Sequence, residues 1–336
     1  MLIDVDDIPV ILRRRHILTS YRPLHKSTIY YLLSAFTPNN EMLNFWTHFL
    51  PAIFISINYL YSELTSINGP NFNLLILYIG IVILFICSSF AHLLHSKCYS
   101  SHIFWLLIDF FGISFFSICT GFQRYLNSKS QGILYDIGYI PCLLFASLGL
   151  QFTCTSYLFV FKNFMRGRIL IKIITSIIVA LWIYVPLIER YTANPLTNKD
   201  IALHLHTKAL GWLFLSGFFM GSKIPERFTE GTFDVIGYSH QLFHSCIFMV
   251  TWNLCEGAYI DNKSVEEIIP ISLFKKIVII LLLIIIFIIY HIIIKIMVNK
   301  AYSESKMINN SSSRFFLTND SCIYSQCHIP FKNKKL

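Results

Sequence analysis

Two histidines, His240 and His244, stand four residues apart within an apolar run from about residue 232 to 255. In a helix this spacing places both imidazoles on one face, one turn apart. A pair of imidazoles arranged in this way can hold one zinc ion, but a stable site needs at least one more ligand. The alternative interpretation is that both side chains only form hydrogen bonds with neighbouring helices. The metal interpretation therefore requires a third ligand from another part of the chain.

The composition indicates a membrane protein. Hydrophobic residues make up 55% of the 336 residues and charged residues 13%, whereas a soluble domain carries about 25% charged residues. The apolar residues form long runs, as membrane helices do. Eight runs are predicted to be spans: 45–64, 73–96, 102–121, 136–161, 168–189, 201–222, 232–255 and 272–298. The fold class is therefore predicted to be an all-α polytopic membrane protein. Its Lys and Arg residues lie between the runs and do not indicate nucleic-acid binding.

The spans divide the chain into five parts. These are a cytosolic N-terminal segment, a seven-helix core, an outer loop, an eighth transmembrane helix and a polar, disordered cytosolic tail, predicted at residues 1–44, 45–255, 256–271, 272–298 and 299–336. Both termini are placed in the cytosol because Lys and Arg are more numerous on that side of the spans. On this topology, Asn262-Lys-Ser264 is a glycosylation acceptor in the outer loop.

Three more polar residues, Ser88, His92 and Asp109, fall inside predicted spans. An acidic group at mid-membrane costs roughly 2.5–3.5 kcal/mol and is normally kept for a function. Alternating span directions place His92, Asp109 and His240 roughly 8–12 Å below the same cytosolic surface. We therefore predict a zinc site formed by His92, His240 and His244, with Asp109 binding a metal-bound water as acid and base and Ser88 orienting that water or a substrate. A purely structural zinc site is the alternative.

Three sequence motifs together resemble those of the progestin and adipoQ receptor family. They are Ser34 to His48, which includes Glu41 and Asn44; Ser88-Ser-Phe-Ala-His92, followed by Asp109-Phe-Phe-Gly112; and Pro225-Glu226-Arg227-Phe228, followed by Asp234 and Ser239-His240-Gln241-Leu-Phe-His244. The resemblance covers residues from about 34 to 255. It implies a seven-helix core that binds zinc through His92, His240 and His244, with a water near Asp109. The eighth span and the Pro-Glu-Arg-Phe motif favour the membrane progestin receptor branch.

This resemblance implies a steroid receptor of the progestin type that signals through a G protein. The alternative, implied by the adiponectin receptor branch, is a zinc-dependent lipid amide hydrolase similar to a ceramidase. The expected partners are thus the bilayer and a lipophilic small molecule, either a steroid or a sphingolipid. A channel or transporter is disfavoured, because there is no inverted repeat and the charged residues lie at one depth. The expected location is the plasma membrane, the endoplasmic reticulum or both, since Lys332 and Lys334 resemble a dilysine retrieval signal.

The remaining polar residues of the motifs are predicted to have structural roles. Glu41, near Asn44 at the start of the first span, is predicted to cap that helix or to pair with a basic residue such as Arg227. Glu226, Arg227 and Asp234 precede the seventh span and are predicted to form a salt-bridged clamp. Three further histidines near the same surface are His48, His95 and His102. For these, interfacial hydrogen bonds are favoured over metal ligation.

Overall fold

The computed structural model describes residues 2–9, 12–128, 133–159, 165–193, 200–265 and 271–311. Within these ranges the chain is helical and contains no β-sheet. The eight long helices are α1 (Met42–Ile55), α2 (Phe72–Leu94), α3 (Tyr99–Leu126), α4 (Ile133–Phe159), α5 (Met165–Tyr184), α6 (Ile201–Ser222), α7 (Ser239–Val265) and α8 (Leu273–Ser311). Helix α1 is prolonged by a π-helical turn, Ser56–Tyr61, and a last turn, Ser62–Leu64. Shorter helical pieces are Val5–Asp7, Thr28–Leu33, Ser34–Phe36, His95–Lys97, Val185–Leu187 and Ile188–Ala193.

Each predicted span overlaps one of these helices, and four helices are long and apolar enough to cross a membrane. Their apolar stretches are Phe72–Lys97, Tyr99–Leu126, Ile137–Thr155 and Leu273–Ser303, and a shorter one is Ile171–Leu187. Helices α1, α6 and α7 are not among them in the described chain. These three helices carry several polar residues each, such as Asn44 and His48 on α1 and His204 and His206 on α6, which lower their hydropathy. The all-helical class is confirmed, whereas the number of membrane crossings stays a prediction.

The starts of α6 and α7 are fixed by carboxylates that precede them. Asp200 accepts a hydrogen bond of 2.8 Å from the backbone N–H of Leu203 at the start of α6. Glu226 accepts a bond of 2.7 Å from the backbone N–H of Ser239 and a second bond from its hydroxyl. Such acceptors satisfy N–H groups that a helix cannot pair internally, and negative charge is favourable there. Glu226 thereby fixes the start of α7 one residue before His240.

Helices α2 and α3 pack closely where a glycine of each helix faces a cysteine of the other. A Cβ atom at Gly80 would lie 2.5 Å from Cys119 Cβ, and one at Gly112 would lie 2.9 Å from Cys87 Cβ. Small residues permit this approach of helix backbones in membrane proteins. Gly112 is one turn from Asp109, so the close packing brings that residue of α3 to the level of Ser88 on α2.

Helix α8 buries one stripe of its surface. Ile279, Ile286, Tyr290 and Ile294 are buried, and the Tyr290 ring lies edge-on to Phe111 of α3 with centroids 5.4 Å apart. The helix continues to Ser311, so residues 299–311 of the predicted disordered tail are helical. Residues 312–336, including Lys332 and Lys334, lie outside the described residues.

Helix α7 differs from its predicted span at both ends. It begins at Ser239 and extends to Val265, so the first ten residues of the predicted outer loop are helical. Asn262 lies in this extension and is only 4% exposed. The predicted acceptor thus lies at a buried helical position and not in an exposed loop. The extension also places Asp261 inside the bundle, where it has partners described below.

The N-terminal segment, here residues 12–36, is docked on one end of the bundle. Ile17 and Tyr21 are buried in a cluster with Tyr238, which precedes α7. The Arg22 guanidinium donates to the backbone carbonyls of His92 and Leu93 at 2.7 and 2.6 Å, at the end of α2. We call this the site end of the bundle. The opposite end, where Asp200 and Asp261 lie, is called the distal end.

Candidate metal centre

The three predicted histidine ligands lie together at the site end. His92 belongs to the last turn of α2, and His240 and His244 to the first turns of α7. The Nε2 atoms of His92 and His240 are 3.2 Å apart. One ring nitrogen from each of the three residues lies within 4.8 Å of the other two. His92 and His244 are buried and His240 is half-buried.

This arrangement fits a zinc ion. Zinc binds imidazole nitrogen at 2.0–2.1 Å in tetrahedral geometry, which separates two such nitrogens by roughly 3.3 Å. The separation of 3.2 Å between His92 Nε2 and His240 Nε2 agrees with this value. In addition, His240 Nδ1 is buried and has no hydrogen-bond partner among the described residues. The site thus offers three imidazoles from two helices, which is a donor set that zinc prefers.

Two neighbouring side chains orient the rings. A Glu41 carboxylate oxygen lies 2.9 Å from His92 Nδ1, and the Thr47 hydroxyl lies 3.0 Å from His244 Nδ1. Metal-binding histidines usually have such a partner on the ring nitrogen that does not face the metal, because it fixes the tautomer and the ring orientation. In both cases the Nε2 atom is left for the metal.

A second group of possible ligands, Glu41, His92 and His95, also lies within 4.8 Å. The Arg14 guanidinium lies against this second group. Its Nε and Nη2 atoms are 2.6 and 3.0 Å from the Glu41 carboxylate, and Nη2 is 3.3 Å from His92 Nδ1. A guanidinium is always charged, so it repels a metal ion from this group. Arg14 thus disfavours a metal ion at this second group, where Glu41 contacts His92 Nδ1.

Glu41 is charged in this environment. Burial alone would raise its pKa, but Arg14, followed by His95 and His92, holds the pKa of Glu41 well below its usual value. The predicted pairing of Glu41 with Arg227 is not found, because Arg14 takes that place and Arg227 is exposed. The Asn44 amide also donates to Glu41, at 2.7 Å, so Asn44 supports the same carboxylate.

Asp109 and Ser88 lie near His92, one of the three histidines. The Ser88 hydroxyl interacts with the Asp109 carboxylate, which is also in electrostatic reach of His92. Ser88 is buried and Asp109 is half-buried. The structure thus brings a hydroxyl and a carboxylate from two helices together near His92.

The loop before α7 forms a clamp, but through hydrogen bonds. Asp234 accepts bonds from the backbone N–H of Leu18 at 3.2 Å and from the N–H and hydroxyl of Thr19, both at 2.7 Å. Glu226 caps α7 through Ser239. The clamp therefore joins the N-terminal segment to the start of α7, and the predicted salt bridges do not form its basis.

The other histidines near the site are buried. His48 stacks on His244 with centroids 3.6 Å apart, and His95 Nδ1 lies 3.1 Å from His102 Nδ1. His95 Nε2 is 3.3 Å from Glu41. His95 and His102 thus form a hydrogen bond with each other, whereas neither ring nitrogen of His48 has a hydrogen-bond partner among the described residues.

Two residues of the site, Arg14 and Thr47, escaped prediction from the sequence. Arg14 is part of the basic run Arg13-Arg14-Arg15, which indicates only orientation in the membrane. Thr47 precedes His48 in a motif that matches the family. It lies one helical turn from Leu43 and Asn44, and this position in the motif was the only indication of a role for it. Neither pattern indicates which histidine each residue contacts.

A family model described as Haemolysin-III related matches residues 36–254. This match spans well over half of the chain and includes all three histidines. The chain belongs to this family. The haemolysin-III related region ends within α7, and neither the N-terminal segment around Arg14 nor α8 is part of it.

The similarity to curated relatives extends beyond the region that the family model matches. Membrane progestin receptor beta of Homo sapiens is 25% identical over 271 residues, which cover 78% of this chain and 76% of the relative. Membrane progestin receptor gamma of Mus musculus is 26% identical over 279 residues, with 77% and 81% covered. Membrane progestin receptor alpha of Homo sapiens is 26% identical over 267 residues, with 77% and 76% covered. The predicted family resemblance is confirmed, and together with its four apolar helices it identifies the chain as a multi-pass membrane protein.

Proposed function

We propose that this protein is a membrane receptor for a progestin-type steroid and that its core holds a zinc ion through His92, His240 and His244. The observation that carries the proposal is the convergence of three imidazoles from α2 and α7 inside the family region. The names of the relatives, all membrane progestin receptors, support the ligand class.

The centre would couple two helices. When bound, zinc supplies a fixed positive charge and Lewis acidity at this point. His92 comes from α2 and the other two ligands from α7, so the centre holds the site ends of these helices in register. Glu41 and Thr47 keep the imidazoles turned inward. A lipophilic ligand that enters between the helices would shift the two helices relative to each other, and the centre would transmit that shift to the site end.

The count of Lys and Arg supports a cytosolic site end. A G protein would then meet the receptor at this end, next to the N-terminal segment. The same count places the C-terminus in the cytosol, in a protein of the plasma membrane, the endoplasmic reticulum or both.

Saturation binding tests the receptor proposal. Labelled progesterone is added to membranes that contain the wild-type chain, His240→Ala or no protein, with His204→Ala, an exposed histidine of α6, as the matched control. We expect saturable binding to the wild type and to the control and weaker binding to His240→Ala. Absence of saturable binding to the wild type would contradict the receptor function and leave the metal centre as a separate question.

A second candidate function is hydrolysis of a lipid amide, such as the amide of ceramide. The observation that favours it is the pair Asp109 and Ser88 near His92. Asp109 would accept a proton from water and return it to the leaving amine, while Ser88 would hold the carboxylate in place. We expect Asp109→Asn to keep its metal and to lose ceramide hydrolysis. Full activity of that variant would exclude this role.

A further inference from the structure

Arg14 reaches the candidate metal centre from outside the region that the family model matches. It belongs to the N-terminal segment, whereas the matched region begins at residue 36. Its guanidinium holds both carboxylate oxygens of Glu41, at 2.6 and 3.0 Å. Glu41 in turn contacts His92 Nδ1 at 2.9 Å. An arginine, a carboxylate and a metal-site histidine thus form one continuous chain of contacts.

We propose that Arg14 is a positioning residue of the metal centre: it holds Glu41 in the orientation that turns His92 Nε2 towards His240 and His244. This inference rests on the proposed zinc site. Its new element is that the N-terminal segment, and not only the helical core, completes the site.

The geometry of the guanidinium supports this role. Two parallel N–H groups fix both the position and the plane of a carboxylate, which a single donor cannot do. Glu41 is 2% exposed, and a buried carboxylate is costly unless it is paired. Asn44 gives it a single hydrogen bond of 2.7 Å, and His95 Nε2 lies 3.3 Å from one of its oxygens. Arg14 is therefore the partner that determines how the carboxylate is turned.

Several contacts anchor Arg14 and the part of the N-terminal segment that follows it. The backbone N–H of Arg14 donates to the Tyr21 hydroxyl at 3.0 Å, and the guanidinium carbon lies 5.8 Å from the centre of the Tyr238 ring. Asp234 binds the backbone of Leu18 and Thr19. These contacts, together with the bond from Arg22 to the backbone carbonyl of His92, hold the segment so that Arg14 reaches Glu41.

Zinc affinity of the purified full-length protein tests the inference. It is measured by competition with a fluorescent chelator in Arg14→Gln, with Arg15→Gln as the control, because Arg15 is exposed and the charge change is identical. Residues that orient a metal ligand typically change affinity by about 10- to 100-fold, and we expect a loss in this range for Arg14→Gln only. Equal affinities of the two variants would overturn the inference.

Two further readouts separate positioning from general stability. If Arg14 acts through Glu41, adding Arg14→Gln to Glu41→Gln should cost no further affinity; additive losses would overturn the inference. The visible absorption bands of the Co²⁺-loaded protein should differ between Arg14→Gln and the wild type, since the ligand geometry differs. Identical bands would likewise count against the proposed role.

Two other variants keep the test decisive. Arg14→Lys retains the charge but not the double contact, so it should fold like the wild type and bind zinc more weakly; wild-type affinity would overturn the inference even if Arg14→Gln fails to fold. His240→Ala tests the site itself. Loss of zinc in His240→Ala together with wild-type affinity in Arg14→Gln would overturn the role of Arg14 alone, whereas unchanged zinc in His240→Ala would overturn the proposed centre.

Discussion

The two ends of the helix bundle contain the same chain of groups: an arginine, a carboxylate and a buried histidine. At the site end the distances are 2.6 Å from arginine to carboxylate and 2.9 Å from carboxylate to histidine, in Arg14, Glu41 and His92. At the distal end they are 2.9 and 2.8 Å, in Arg190, Asp261 and His206. The local chemistry of these two chains is therefore almost the same.

The difference lies at the second nitrogen of each imidazole. His92 Nε2 faces His240 Nε2 at 3.2 Å, in the geometry of a shared metal. His206 Nδ1 faces Arg124 Nη2 at 3.4 Å, and a Cβ atom at Gly257 would lie 3.0 Å from the ring. A fixed cation and close packing leave no place for a metal ion there. The neighbour of the second nitrogen, and not the arginine–carboxylate pair, thus decides whether such a histidine can be a ligand.

Removal of one histidine should affect metal binding at the site end but not at the distal end. We expect His240→Ala to weaken zinc binding by more than the roughly 100-fold seen for residues that only orient a ligand. His206→Ala should leave zinc affinity unchanged, because Arg124 excludes a metal from its ring. Metal content per folded protein, measured by mass spectrometry after dialysis against a chelator, distinguishes the two. Zinc loss in His206→Ala would show that the distal end also binds metal.

Removal of the distal carboxylate should instead reduce stability. Asp261→Asn leaves Arg190 and the fully buried His206 without their shared charged partner. Loss of such a buried partner costs about 1–3 kcal/mol, and we expect a lower thermal unfolding temperature in detergent with unchanged zinc affinity. The matched substitution at the site end, Glu41→Gln, should lower zinc affinity as well. If both variants changed only stability, the two ends would be equivalent and the distinction between them would fail.

The candidate ligands could be predicted because the information is local. His240 and His244 share a helical face at a spacing of four residues, and alternating span directions bring His92 and Asp109 to the same depth. The glycine at position 112 was recognisable only as part of a motif. Its reason, the close approach of α2 and α3, depends on where Cys87 of the other helix lies.

The contacts that surround the ligands could not be predicted, because they join distant segments. Arg14 and Glu41 are 27 residues apart, and Arg190 and Asp261 are 71 apart. Asp261 also explains why α7 ends later than its predicted span. Polar residues indicate a loop when they are considered alone, whereas here the carboxylate is paired inside the bundle, so the helix continues to Val265. The buried stripe of α8 could not be predicted for another reason. Its sequence is nearly uniform Ile and Leu, so it has no periodic hydrophobic pattern that would indicate the buried side.

Removal of a threonine hydroxyl should have a smaller effect on zinc affinity at the site end and none at the distal end. Thr47→Val removes the hydroxyl beside His244 Nδ1 but keeps the shape of the side chain. We expect zinc affinity to fall by up to about tenfold, the lower limit for residues that orient a ligand. Thr207→Val is the control, because its hydroxyl lies next to that of Tyr191 near the distal end. Equal zinc affinities in the two variants would show that the Thr47 contact does not orient His244.

The smallest expected effect is at the exposed edge of the distal end. Burial alone would raise the pKa of Asp200, but hydrogen bonds from Arg190 and the Leu203 N–H outweigh it and lower the pKa. A carboxylate with a lowered pKa stabilises the fold above its ordinary pKa of about 4, and this contribution is lost as the pH falls through the lowered value. Asp200→Asn keeps a capping oxygen and removes the charge.

We therefore expect Asp200→Asn to cost about 1 kcal/mol or less at neutral pH, since the pair with Arg190 is partly exposed. The difference in unfolding temperature from the wild type should shrink as the pH is lowered below about 4, while zinc affinity at neutral pH stays unchanged. Thermal unfolding in detergent across this pH range measures it. A difference that persists unchanged in acid would mean that the charge of Asp200 is not what joins Arg190 to the start of α6.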